Sequence, residues 1–478
     1  MKEYGVTQEA VRPSAWGSLF FLGILFFTWS RLEGGDLVAL CSSAAWGAGG
    51  GIAVTFIFDF QRGWRNLVRA DIAAILALYF LTLFEFLFPQ QEILELVDRS
   101  HIHESLGYIF LAFAGLTIGR HLTSREQIER TPLFSATVKP SLLTGLFIGC
   151  FILGYLHMAV AVDFDFMTWW EAILQPRFFQ PWTRGRLGDW KAILTELGML
   201  LYLLPPLMGV VLARIDKYQF GSLILMGLGT GITFFYGYSS GTRHIFCTYL
   251  VTFVIGYLFA VKRGEEKRIF LVAGLSFALL FVASQQMLHF REIGLGAYWQ
   301  GELEEAPSSQ SVYVDMNLFT LAQVVGYFPK VHDYLGWEIP YLALVRPIPR
   351  ALWSGKPLGM SVTMEQVVGA GEDYTVAASF VGEAYMSGGW FGVLFSSLFF
   401  GSLMGWWNRF GSEENSDWGI LIYASGFFAA VISMRSLFVF TTALLPTVTA
   451  IFIGYQLTDL IRSRMIRKSS LPRDKSTE

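Results

Sequence analysis

LLTGLFIGCFILGYLHMAVAV, residues 142–162, contains no aspartate, glutamate, lysine or arginine. At about 1.5 Å per residue such a run makes a helix of roughly 30 Å, the thickness of a bilayer's hydrocarbon core. Lipid offers backbone amides no partner, so the run must satisfy its own hydrogen bonds as a helix. Working outward from it, similar runs recur at 14–30, 38–58, 72–88, 105–120, 190–212, 219–237, 244–261, 269–286, 378–405, 418–433 and 437–458. Composition agrees. Apolar residues make up 53% of the chain and charged residues 15%, against roughly 25% charged in a soluble domain. The expected fold is an all-α polytopic membrane protein, about twelve transmembrane helices forming a single helical domain over 1–478.

The N-terminal MKEYGVTQEAVRPS is polar and no small-residue cleavage site follows the first run, so 14–30 reads as a retained helix. Two connections are long, 163–189 and 287–377. The second holds apolar stretches at 318–328 and 340–345 that are too short to cross and read as amphipathic or re-entrant pieces. Orientation follows from basic residues in short loops. With the N-terminus in the cytoplasm, every inside segment carries at least one, among them Arg62, Arg65 and Arg69, Arg120, Arg214, Arg263 and Arg409. Both termini then lie in the cytoplasm and both long connections lie outside.

The balance of 35 basic and 38 acidic residues argues against a nucleic-acid partner. Cys41, Cys150 and Cys247 fall inside apolar runs and read as small core hydrophobes. The chain has no HExxH, CxxC or Gly-rich phosphate loop. Two short patterns, Asp163-Phe-Asp165 and the group His101, His103 and Glu104, suit a divalent ion, but chance often supplies such patterns and solvated interfacial residues are the favoured reading. GAGGG at 47–51 sits inside a span and predicts close helix packing.

The charged chemistry gathers on the predicted outer side. In RPIPRALWSGKP, residues 346–357, three prolines stiffen a loop from which Arg346, Arg350 and Lys356 project. Trp353 adds a flat face suited to a sugar ring or the membrane interface. Forked guanidiniums on a stiff loop suit a phosphate; a loop gripping lipid headgroups is the plainer reading. Arg243 lies in YSSGTRH at a helix start, which favours an anion. Arg291 follows the ninth span, and Arg435 sits among apolar residues in ISMRSLFVF, where an unpaired charge costs roughly 2.5–3.5 kcal/mol. Arg177, Arg184 and Arg186 belong to the first long connection. Glu383, about one turn into the tenth span, is a candidate general base or an arginine partner, and Asp315 a candidate base or helix cap.

Several of these segments resemble a known family. PRALWSGKP (349–357), preceded by NLFTLAQVVGYFP (317–329) and IPYLALVRPIPRALW, is similar to the loop signature of bacterial oligosaccharide repeat-unit polymerases, the Wzy-type polymerases of O-antigen, exopolysaccharide and capsule pathways. GTRH and FVGEAYMSGGWFGVLFSSLFFG (380–401) resemble two further elements of that family, in the same order. The resemblance implies a GT-C-like, O-antigen-polymerase architecture at the outer face of the bacterial inner membrane. It implies a glycosyl transfer from an undecaprenyl-diphosphate-linked oligosaccharide to the incoming lipid-linked unit, without a cofactor or metal. Membrane lipids and a chain-length regulator are the implied partners. Arg243, Arg346, Arg350, Lys356 and Arg435 would hold the diphosphate. Arg243, Arg291 and Arg350 would act in the chemistry with Glu383 or Asp315, and Trp353 and Tyr385 would contact sugar or lipid. A glycan ligase would use the same donor. A flippase would need polar residues along a path, whereas only Glu85, Glu196, His157 and Glu383 read as titratable groups well inside spans.

Overall fold

The computed structural model describes residues 12–32, 36–88, 97–123, 138–183, 192–261, 266–301, 316–348, 352–353, 355–357, 359–369, 377–411 and 416–469. The described residues are helical, with no strand. In chain order the main helices are α1 (Ala15–Trp29), α2 (Leu37–Phe60), α3 (Ala70–Thr82), α4 (Arg99–Leu122), α5 (Pro140–Ala161), α6 (Phe166–Ile173), α7 (Ile193–Ala213), α8 (Phe220–Ser239), α9 (Arg243–Ala260), α10 (Glu266–Phe290), α11 (Asn317–Tyr327), α12 (Glu338–Val345), α13 (Ser379–Trp407), α14 (Asp417–Ser433) and α15 (Phe438–Ser469).

Nine helices among the described residues are long and apolar enough to cross a membrane: α2, α4, α5, α7, α8, α9, α10, α13 and α15. The protein is an all-α, polytopic membrane protein. The sequence spans at 14–30, 72–88 and 418–433 fall on the shorter apolar helices α1, α3 and α14. The run at 72–88 is broken. α3 ends at Thr82, and a separate 3-10 turn covers Phe84–Leu87. The run at 105–120 is longer than its hydropathy suggests, because α4 starts at Arg99, where the Asp98 side chain accepts from the Ser100 amide at 3.1 Å. In α7, Pro205 and Pro206 lack amide donors, and the preceding stretch Gly198–Leu203 tightens to 3-10 geometry.

The chain divides into two compact units interleaved in sequence: 1–129 with 307–412 and 426–443, and 130–306 with 413–425 and 444–478. The first is built around α4 against α13. GLTIG (115–119) on α4 meets GSLMG (401–405) on α13. A Cβ at Gly119 would lie 2.4 Å from the Leu398 carbonyl oxygen, one at Gly401 2.5 Å from that of Leu116, and one at Gly405 2.6 Å from that of Arg120. The backbones are therefore in direct contact, with Thr123 Oγ1 donating to the Ser402 carbonyl at 2.5 Å. Within the same unit GAGGG packs as its composition predicts. A Cβ at Gly51 would strike Phe21, one at Gly47 Thr28 and one at Gly49 the Tyr79 hydroxyl. In the second unit, Gly209 of α7 and Gly256 of α9 bring two helices together in the same way. Gly401→Leu is expected to abolish recovery of folded protein in mild detergent, whereas Gly274→Leu, on an open face of α10, leaves it unchanged. Equal yields, read by size-exclusion chromatography, would show that the α4–α13 contact is dispensable.

A buried ion cluster joins the ends of helices in the first unit. Arg69 grips Asp71 with two bonds of 3.0 Å and Asp59 at 3.1 Å. Arg120 lies 3.5 Å from Asp71 and 3.9 Å from Asp59, and it donates to Ser18 Oγ at 2.5 Å. Asp59 also accepts from the Ser14 amide at 2.7 Å, and Asn408 donates to Asp71 while accepting from the Ala70 amide. Both arginines are 0% exposed. Read from sequence, Arg69 and Arg120 are basic residues of inside segments; in the fold they are paired with buried carboxylates and bind α1, α2, α3, α4 and the end of α13 together.

Candidate functional site

In the first unit the site forms where α13 begins. Gly382, Glu383 and Tyr385 lie on its first turns and are all buried. The helix is broken at Gly388 and Gly389. Gly389 has φ +60°, and a Cβ there would lie 2.8 Å from the Tyr334 hydroxyl, so this position requires glycine. The segment after α11 runs along the break: the Leu335 amide donates to the Met386 carbonyl at 2.8 Å, and Ser387 Oγ to the Gly336 carbonyl at 2.6 Å. α11 itself is anchored by Asn317, whose Nδ2 donates to the Leu81 carbonyl at 2.9 Å.

Glu383 is 3% exposed. Its Oε1 accepts from Ser436 Oγ at 2.6 Å and its Oε2 from the Leu437 amide at 2.6 Å. These two bonds pin the hairpin between α14 and α15, whose apex carries the half-buried Arg435. The Phe380 amide adds a bond to the Met434 carbonyl at 3.0 Å. Arg346, at the end of α12, sets its guanidinium 5.7 Å from the centre of the Phe438 ring, one residue past the pinned amide. Thr441 Oγ1 donates to the Ala343 carbonyl and ties α12 to α15. Arg346, Glu383 and Arg435, from three distant segments, thus meet around one hairpin.

Other expected site residues fall differently. Lys356 donates its ammonium to the Arg346 carbonyl at 2.6 Å and the Ile348 carbonyl at 2.7 Å, closing the end of α12. Two of its three donors therefore serve the loop. Trp353 is half-buried beside Gly355. Tyr385, expected to meet sugar or lipid, faces inward. It is 4% exposed, its ring lies 4.7 Å from Tyr108 and 5.8 Å from Tyr334, and its hydroxyl donates to the Phe328 carbonyl at 3.3 Å. The helical period places it against the protein wall. Arg350 and Asp315 lie outside the described residues.

The second unit carries its own group of arginines. Gly241, at φ +62°, turns the chain into α9 and packs against the backbone of Arg291, 3.0 Å from where its Cβ would be. Arg243 is the first residue of α9, and Arg177 Nη1 donates to the neighbouring Thr242 Oγ1 at 3.5 Å. The Gly296 amide donates to the Leu174 carbonyl, so the starts of the two long connections pack together. Arg177, Arg243 and Arg291 therefore surround one turn, with Arg291 exposed.

The two short metal patterns find other uses. Asp165 caps α6, accepting from Thr168 Oγ1 at 2.5 Å and the Met167 amide at 3.1 Å; the Thr168 hydroxyl, then the amide, hold its carboxyl below the ordinary range. His101 packs against Gly326 of α11, whereas His103 stacks on Trp29, so the two rings part. Among the described residues no group of three His, Cys, Asp or Glu side chains is placed to hold a metal ion.

No curated protein and no solved structure matches the chain. A family model described as a domain of unknown function, DUF8712, matches residues 313–449, the stretch that contains Arg346, Arg350, Glu383 and Arg435.

Proposed function

We propose that this protein is a lipid-linked oligosaccharide polymerase of the bacterial inner membrane, with twelve spans, both termini in the cytoplasm and a GT-C-like, O-antigen-polymerase architecture. An acceptor-sugar hydroxyl attacks the anomeric carbon of a sugar held on undecaprenyl diphosphate. The new glycosidic bond forms, the carbon–oxygen bond to the diphosphate breaks, and the hydroxyl proton passes to a carboxylate. The observation that carries this reading is the convergence of Arg346 and Arg435 around a hairpin pinned by Glu383. Guanidiniums fixed before the reaction stabilise charge on a leaving diphosphate without reorganisation. The donor is pre-activated, so no nucleotide loop is required.

Glu383 has two roles in this scheme. It positions Arg435 through the hairpin, and beside its bonds to Ser436, Leu437 and the Phe438 amide its carboxylate keeps one lone pair for an acceptor hydroxyl. Glu383→Gln separates them. The amide oxygen of glutamine still accepts from the Leu437 amide, and its NH2 donates to Ser436 Oγ, so the hairpin survives without the charge. Chain extension by membranes containing the variant is expected to fall at least about tenfold at unchanged protein level. Near-normal extension would reduce Glu383 to a hairpin pin.

The orientation is open to direct measurement. Cysteines at Glu171 and Asp333, both exposed in the two predicted outer connections, are expected to react with an impermeant thiol reagent in intact spheroplasts, and one at Glu265 only after lysis. Labelling of the Glu265→Cys variant before lysis would invert the topology.

A further inference from the structure

An apolar groove of about 490 Å³ opens between α1 and α4, within the range of about 300–1,000 Å³ usual for ligand sites. Its walls are Leu22, Leu25 and Phe26 on α1 and Phe110, Leu111 and Ala114 on α4. Its far end is polar and aromatic, formed by Trp29, His103, Glu104 and Tyr108. Gly107 makes the space: a Cβ there would lie 2.9 Å from the Trp29 ring, which is itself held by His103 at 4.8 Å. From His103 to Ala114 the groove follows α4 for about 16 Å. That is close to one leaflet's depth, half of a hydrocarbon core of about 30 Å.

We infer that this groove holds one acyl chain of a phospholipid with an amine headgroup, from the leaflet on the Trp29 side. The length argues for an acyl chain that ends near the bilayer midplane, and against a long polyisoprenoid. Charge sets the headgroup. Glu104 is the acidic residue of the lining, it is exposed, and among the described residues it makes no ion pair. A carboxylate there attracts an ammonium and repels an anionic headgroup. The indole of Trp29, at the end of an apolar helix, offers a second attraction for the same cation. A bound lipid would also brace Tyr108, whose ring backs Tyr385 two residues from Glu383 on α13. The groove is thus a lipid site beside the candidate site, separate from any glycan donor, and it stands whether or not the glycosyl-transfer reading holds.

The test uses the full chain, purified in detergent, delipidated, and offered equal amounts of phosphatidylethanolamine, phosphatidylglycerol and a long-chain polyprenyl phosphate. Retained lipid is read by native mass spectrometry. The wild-type protein is expected to favour phosphatidylethanolamine over phosphatidylglycerol roughly three- to fivefold, the worth of one partly exposed ion pair. Glu104→Gln removes that preference and leaves total retention intact; it changes an exposed side chain, so it keeps the test decisive if the second variant fails to fold. Gly107→Leu fills the groove and lowers retention of both phospholipids. No headgroup preference in the wild type, or retention of polyprenyl phosphate above both, overturns the proposal. So does a folded Gly107→Leu protein that retains as much lipid as the wild type.

Discussion

Arg350→Lys, and separately Arg243→Lys, is expected to lower glycan-chain extension on the order of ten- to a hundredfold without changing protein level. A guanidinium presents two parallel N–H donors to two phosphate oxygens, whereas an ammonium keeps the charge and loses the planar fit. A charge-assisted bond of this kind is worth roughly 1.5–3 kcal/mol, which corresponds to that range of rates when it acts in the transition state. Loops that only anchor to headgroups accept lysine, because a surface charge near lipid needs no fixed geometry. The substitution therefore separates a clamp from an anchor. Arg346→Lys belongs to the same series, with a second consequence: it weakens the approach to Phe438 that fixes the end of α12. Wild-type polymer lengths from both the Arg350→Lys and Arg243→Lys proteins would return these segments to membrane anchoring.

The second large effect is on stability. Asp71→Asn is nearly isosteric, yet it turns one oxygen that faces Arg69 into a donor and leaves two fully buried guanidiniums sharing one carboxylate. Breaking a buried pair in this way costs about 3–5 kcal/mol. The detergent-solubilised protein is expected to melt well below the wild type, or to fail to accumulate. Asp163→Asn, in the turn that precedes α6, is expected to melt with the wild type. An unshifted melting curve for Asp71→Asn would mean that the cluster is solvated and contributes little.

The helices were legible because their signal is local. An uncharged run of bilayer length has one outcome in lipid, and even the packing role of GAGGG follows from residues within one turn. Signals that depend on a partner were not legible. GLTIG and GSLMG are each ordinary glycine spacings until the fold sets one against the other. Asp59 and Asp71 flank apolar runs and resemble loop charges, because burial of a charge is decided by arginines on other helices. The start of α4 was hidden by His101, His103 and Glu104, which are polar but helical. At the site, the position of Glu383 near the start of its span was readable, but its bonds to Ser436 and Leu437 were not. The inward orientation of Tyr385 was not legible, because the sequence gives its helix but not which face of that helix meets the protein. Its contacts with Tyr108 and Tyr334 join distant segments and leave no mark in the sequence.

We propose that this protein extends glycan chains on a lipid diphosphate. Purified full-length protein in detergent, supplied only with undecaprenyl-diphosphate-linked repeat units, tests it most directly, with products resolved by gel electrophoresis. The expected result is a ladder of products that lengthens by whole repeat units with time and is lost in Arg350→Lys. Recovery of the input unit unchanged, from protein that is folded and monodisperse, would contradict it; transfer of single units to an added acceptor without a ladder would identify a ligase instead.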